Sequence, residues 1–291
     1  MNPEQKIDHK IIRDISGSQI ITDVGDSGWW QLFLSTKATR PEKQNKPLKV
    51  AVLGSYLLGY LLFETLKKFQ QHNPDSLDIV GLVTDDPASP DAKISVRRRI
   101  WRLYDEKETM NLETAMVELG VVSGIPVYTG AVKTEYFRKL LAQWNPDVIL
   151  VCVFGQIIDK AIIDYPEYGI YNFHPADLAA NHGAGPRPFQ DLIERNAETS
   201  KVTIHHLTEQ LDSGPIIGQS SPINVRFKDG SLTDNILILD DKMLEPIDVM
   251  GAELIKTLIE KKALGLNTEV NKIDFGKHFT KEYRGKLMQP V

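Results

Sequence analysis

Leu48-Lys49-Val50-Ala51-Val52-Leu53-Gly54 reads as a buried strand, because apolar residues run almost without a break until a glycine stops them. The period then changes. Leu58, Leu61, Leu62, Thr65, Leu66 and Phe69 fall close to one face of a helix expected over Leu57–Phe69. Asp78-Ile79-Val80-Gly81-Leu82-Val83-Thr84 restores the strand pattern. A long loop is expected from Asp85 to about Tyr104. A helix around Leu112–Leu119, a short strand at Val127, a helix over Lys133–Trp144 and strands at Asp147–Val153 and Gly169–His174 follow. Strands alternating with helices imply an α/β, Rossmann-like fold: a mostly parallel sheet with helices on both faces.

Outside this core the pattern loosens. Residues 1–47 form a short, polar N-terminal leader ending in Lys43-Gln44-Asn45-Lys46-Pro47. Within it, Gly28-Trp29-Trp30-Gln31-Leu32-Phe33-Leu34 reads as a short strand whose tryptophans pack onto the main body or onto a partner. After Pro186, a short helix is expected over Arg187–Arg195, a strand over Lys201–Leu207 and its partner within Pro215–Val225. Residues 48–225 are thus the central domain. Residues 226–291 are a small C-terminal extension, holding a helix at Val249–Lys261 and then a polar extended stretch.

Composition limits the function classes. The chain has 291 residues and a formal net charge of -5, so it lacks the global basic field of a non-specific nucleic-acid binder. Cys152 is the one cysteine, which excludes an internal disulfide and a cysteine-rich zinc site. It lies in the apolar run Val148–Phe154 and reads as a small buried hydrophobe. Met1–Lys10 is polar, and the longest apolar runs are too short to span a bilayer. A cytoplasmic protein without a membrane partner is expected.

Three polar residues interrupt the apolar logic. Asn172 and His174 stand two apart on one strand, so both side chains leave the same face. They sit at the strand's carboxyl end, where open α/β sheets place their sites. Asp212 lies in Leu211-Asp212-Ser213-Gly214-Pro215, a turn-rich loop that can return to the same place. A metal reading would draw on His174, His182, His205 and His206. It is disfavoured because adjacent histidines on a strand point to opposite faces.

Asn172-Phe173-His174-Pro175, then Val202-Thr203-Ile204-His205 and Leu211-Asp212-Ser213-Gly214-Pro215-Ile216, resemble the catalytic domain of the folate-dependent formyltransferases over about Leu48–Val225. The resemblance implies 10-formyltetrahydrofolate as co-substrate, no metal, and Asn172, His174 and Asp212 as catalytic residues. It further implies that Phe154, Gly155, Gln156, Ile157 and Ile158, with Leu211 opposite, wall the folate. The segment Ala176-Asp177-Leu178-Ala179-Ala180-Asn181-His182-Gly183 departs from the family's Ser-Leu-Leu-Pro, basic, aromatic, basic, Gly. That departure puts loop shape and acceptor choice in question.

Gly54-Ser55-Tyr56-Leu57-Leu58-Gly59 lacks both the dinucleotide fingerprint and the Asn-Gly-Ser loop of the purine enzyme. The expected acceptor is a small-molecule amine, such as an amino sugar on a nucleotide. Arg97, Arg98, Arg99, Trp101 and Arg102 are candidates to bind it, or to engage nucleic acid if the acceptor is methionyl-tRNA. A folate-binding protein without catalysis is the remaining alternative.

Overall fold

The computed structural model describes residues 17–23, 30–38, 46–84, 115–266, 270–273 and 275. Arg97, Arg98, Arg99, Trp101 and Arg102 lie outside the described residues, as does the loop expected from Asp85 to Tyr104.

The strands are β1 (Ser18–Asp23), β2 (Trp30–Ser35), β3 (Leu48–Gly54), β4 (Leu77–Thr84), β5 (Val127–Gly130), β6 (Val148–Cys152), β7 (Ile170–His174), β8 (Thr199–Ser200), β9 (Thr203–His206), β10 (Ile216–Gln219) and β11 (Ile223–Asn224). The helices are α1 (Tyr56–His72), α2 (residues 115–122), α3 (Glu135–Trp144), α4 (Lys160–Ile163), α5 (Pro188–Glu194) and α6 (Ile236–Ala263). Nine strands form one sheet in the order β1-β2-β5-β4-β3-β6-β7-β9-β10, and β8 pairs with β11 apart from it. From β5 to β7 neighbouring strands are parallel; the pairs at either end, β1-β2-β5 and β7-β9-β10, are antiparallel.

The central strands are buried on both faces, and alternation sorts their side chains. Val50 and Val52 of β3 and Leu150 of β6 join the core shared with α1 and α6. Ala51, Leu53, Ile149 and Val151 join the other core, with Phe137, Leu141 and Trp144 of α3. The turn from β3 into α1 is tight: a Cβ on Gly59 would lie 2.9 Å from the Gly54 carbonyl carbon. These glycines serve close packing of helix on strand. Thr134 caps α3 by accepting from Phe137 N at 3.1 Å, a contribution of about 1 kcal/mol.

Two expectations change. The C-terminal helix begins at Ile236, well before Val249, because Pro246 lies inside it rather than before it. The expected partner of the Lys201–Leu207 strand is split. Ile216–Gln219 pairs with β9, whereas Ile223–Asn224 pairs with β8. The leader strand joins the main sheet, and Trp30 is buried against Tyr136 with ring centroids 3.7 Å apart. Cys152 is fully buried, and burial pushes its thiol pKa up. No described helix is long and apolar enough to cross a membrane.

Candidate active site

The site grows out of one face of β7. Ile170 packs into the α3-side core; Asn172 and His174 follow at the same period, so apolar packing gives way to polar groups. The ladder places His205 of β9 opposite Asn172, and Thr203 opposite His174. Cross-strand partners share a face, so all four side chains meet on one surface. On the opposite face, Tyr171, Phe173 and Ile204 enter the core against α6. His206 turns to that side, with its ring 4.8 Å from the Tyr171 ring and its Nε2 3.0 Å from the Val270 carbonyl. The two adjacent histidines therefore do point opposite ways. Among the described residues, no group of three His, Cys, Asp or Glu is placed to hold a metal ion.

Asp212 reaches this surface from the β9–β10 connection, which folds back over the sheet. Two features bend it. Asp212 itself takes a left-handed backbone, φ 47, a region where Asp is better tolerated than most residues. Gly214 passes so close to β9 that a Cβ there would lie 1.7 Å from the His206 carbonyl oxygen. The glycine of the Leu211–Pro215 turn is therefore a steric requirement.

Asn172, His174 and Asp212 come together as the sequence implies. Asn172 Nδ2 donates to Asp212 Oδ1 at 3.3 Å and lies 3.1 Å from His205 Nε2. His205 Nδ1 is 2.8 Å from the His206 carbonyl, which can only accept, so that nitrogen carries a proton and donates to it. His174 Nε2 donates to the Gly183 carbonyl at 2.7 Å, while Nδ1 stands 3.8 Å from Asp212 Oδ1. Gly185 N donates to Asp212 Oδ2 at 2.7 Å. His205, Gly183 and Gly185 were not foreseen in the site. Strand alternation on Thr203–His206 was the available signal for His205; nothing local signals the two glycines.

Electrostatics divide the labour. Burial lowers the His174 pKa and His205 lowers it further; Asp212 and Gly183 only partly oppose them. His174 is therefore held neutral near neutral pH. Burial pushes the Asp212 carboxyl up, but the neighbouring His205 and His174 rings and the Gly185 N–H outweigh it and hold the carboxyl below the usual carboxylate range. The arrangement is an ionised carboxylate beside an imidazole lone pair and an amide donor. It can accept a proton from an attacking nucleophile and donate to a developing oxyanion.

The expected folate wall is mixed in character. Phe154 is half-buried, and Gly155 and Ile158 are buried. Gln156 is a staple: its Nε2 donates to the Gly130 carbonyl at 2.8 Å and its Oε1 accepts from Val132 N at 3.1 Å. Ile157 and Leu211 are each 61% exposed.

The Formyl transferase family model matches residues 48–244, more than half of the chain. A methionyl-tRNA formyltransferase of Prochlorococcus marinus is 36% identical over 147 residues, covering 49% of this chain and 40% of its own length. One from Ectopseudomonas mendocina is 28% identical over 220 residues, covering 70% and 69%. The chain thus spans less than half the length of the first of these relatives. A phosphoribosylglycinamide formyltransferase structure from Anaplasma phagocytophilum superposes with TM-score 0.53 at 20% identity, over 73% of this chain and 88% of its own. A formyltetrahydrofolate deformylase structure from Pseudomonas syringae gives 0.51 at 18%, over 74% and 62%. At these identities the structures share the fold.

Proposed function

This chain belongs to the formyl transferase family, and from that premise we propose that it moves a formyl group from 10-formyltetrahydrofolate onto a primary amine. The observation that carries the reading is the convergence of Asn172, His174 and Asp212, with Asp212 within reach of both partners. The amine nitrogen attacks the formyl carbon, and the carbonyl oxygen becomes an oxyanion. The Asn172 amide hydrogen facing Asp212, in a long bond of 3.3 Å, turns to that oxyanion and supplies roughly 3 kcal/mol. The proton shed by the amine passes to Asp212 or to Nδ1 of His174. Collapse breaks the bond from the formyl carbon to the folate nitrogen, which takes up a proton and leaves as tetrahydrofolate. Ile157 and Leu211 offer apolar surface to the folate ring.

The acceptor is a small-molecule amine, such as an amino sugar on a nucleotide. The net charge of -5 supports this. Methionyl-tRNA is the second reading, favoured by the names of the relatives. The test is incubation with 10-formyltetrahydrofolate and a panel of nucleotide-linked amino sugars, amino acids and methionyl-tRNA. Tetrahydrofolate release and formylated product are followed together. Turnover dependent on one amine class, and lost in Asp212→Asn, supports the proposal. No release with any amine overturns it.

A further inference from the structure

The turn after His174 contributes none of the three reacting side chains, yet it supplies the atom that holds one of them. Gly183 offers its carbonyl to His174 Nε2 at 2.7 Å. A carbonyl only accepts, so the proton sits on Nε2, and in the neutral ring Nδ1 keeps its lone pair toward Asp212. Where that carbonyl stands depends on how residues 176–183 are held.

A single side chain does most of the holding. Asp177 Oδ1 accepts from Ala180 N at 3.3 Å and from Gln219 Nε2 at 2.9 Å; its Oδ2 pairs with Lys201 Nζ at 3.1 Å. Its backbone carbonyl accepts from His182 N at 3.1 Å, next to Gly183. Gln219 also donates to Thr203 Oγ1 at 2.9 Å, and Thr203 donates to the Ala176 carbonyl at 2.6 Å. The turn is thereby tied to β10, to β9 and to Lys201 just before β9. Burial works to raise the Asp177 carboxyl pKa, but Gln219, Lys201 and Ala180 outweigh it and keep it low, so the anchor is charged near neutral pH. The resembling family carries a leucine here, which can make none of these bonds.

We propose that Asp177 is a positioning residue. By tying the 176–183 turn to β9 and β10, it fixes the Gly183 carbonyl against Nε2 of His174 and leaves Nδ1 facing Asp212 and the reacting amine. The inference rests on formyl transfer for the identity of the reaction, but the proton position on His174 is readable without turnover. The titratable groups bearing on His174 are Asp212, from the β9–β10 connection, and His205, from β9. Asp177 acts on it only through Gly183.

The test uses the full chain labelled with 15N-histidine. Two-bond nitrogen–proton correlation spectra are recorded across pH, with His174 assigned by loss of its signals in His174→Gln. Native His174 is expected as a single Nε2–H tautomer when neutral. Asp177→Leu is expected to give a tautomer mixture and to lower kcat by roughly tenfold, with the folate KM little changed. Asp177→Asn keeps an oxygen for Ala180 and Gln219, and is expected to restore most of the single tautomer. Should Asp177→Leu not fold, Gln219→Leu and Lys201→Met each remove one arm and are read the same way. A folded Asp177→Leu, or both single-arm variants, with His174 tautomer and titration unchanged overturns the proposal, whatever happens to Tm. If no amine turns over while the tautomer shifts as expected, formyl transfer fails and the positioning role stands.

Discussion

The two ends of the sheet are built alike and used differently. Each adds an antiparallel pair to the parallel centre: β2 with β1 beside β5, and β9 with β10 beside β7. At the first end Trp30 stacks on Tyr136 and lies near Tyr128, and the gain is apolar burial. At the second, β9 turns His205 toward Asn172, and the connection to β10 folds Asp212 back over the face. The contrast shows that an added strand pair becomes functional through what its connection does. A connection that needs φ 47 at Asp212 and bare space at Gly214 has been shaped to deliver a side chain.

That contrast is broken most directly at Asp212. Asp212→Asn keeps the shape but removes the charge that accepts the amine's proton. It is expected to cut kcat by about 1,000-fold, equivalent to roughly 4 kcal/mol of barrier, and to lower Tm as well, because Asn172 and Gly185 donate to separate oxygens of Asp212 and asparagine has one. Steady-state tetrahydrofolate release measures this; a loss under about tenfold would end the assignment of Asp212. Trp30→Ala is the mirror experiment. It is expected to cost about 3 kcal/mol of stability in urea unfolding, while kcat of the remaining folded protein stays near native. If kcat falls with stability, the two ends are not functionally distinct.

The fold was largely legible because the centre of the sheet is written in local periods. Val50, Val52 and Leu150 alternate with Ala51, Leu53, Ile149 and Val151, and the two sets enter opposite cores. Asn172 and His174 were legible for the same reason. The C-terminal helix is longer than its sequence suggests, because Pro246 counts as a stop in the chain and buried Asp240 and Asp248 blur its apolar face. Only the packed structure shows that Asp248 accepts from Thr65 of α1 at 2.5 Å. The turn over residues 176–183 was opaque in another way. Its anchor joins Asp177 to Gln219, 42 residues on, and Thr203 to Ala176, 27 residues back. No local pattern encodes bonds of that range.

A pH titration sharpens the contrast at intermediate size. The folded pKa of His174 lies below its ordinary value of 6.5, because burial disfavours the imidazolium. The unfolded chain then binds more protons than the folded one as pH falls below 6.5. The stabilising contribution is thus full above that value and is lost as pH falls through the folded pKa. Asp212, held below its ordinary 3.8, adds a second loss with the same sign at lower pH. Formyl transfer should fall on the acid side as His174 takes up its proton. His174→Gln should flatten the first part of the Tm-against-pH curve, whereas Trp30→Ala should lower that curve without changing its shape. An unchanged acid limb in His174→Gln would remove His174 from this account.

The smallest expected effects test whether the β1–β2 end is as remote from the chemistry as its packing implies. Leu211 belongs to the same connection as Asp212, and Ile157 to the loop after β6; both are 61% exposed. Replacing either by serine should leave Tm nearly unchanged, since little of either is buried in the fold. If both cover the folate ring, each should raise the folate KM by roughly fivefold, about 1 kcal/mol of apolar contact, with kcat retained. Ile157 is the more informative of the two. Its neighbour Gln156 is hydrogen-bonded to the Gly130 carbonyl, and Gly130 pairs with Trp30 across the ladder. Should Trp30→Ala raise the folate KM as Ile157→Ser does, and add nothing when combined with it, the stacked tryptophan holds the folate wall through Gln156. The β1–β2 end would then be a second support of the site. Independent, additive effects would leave it a cover for the core.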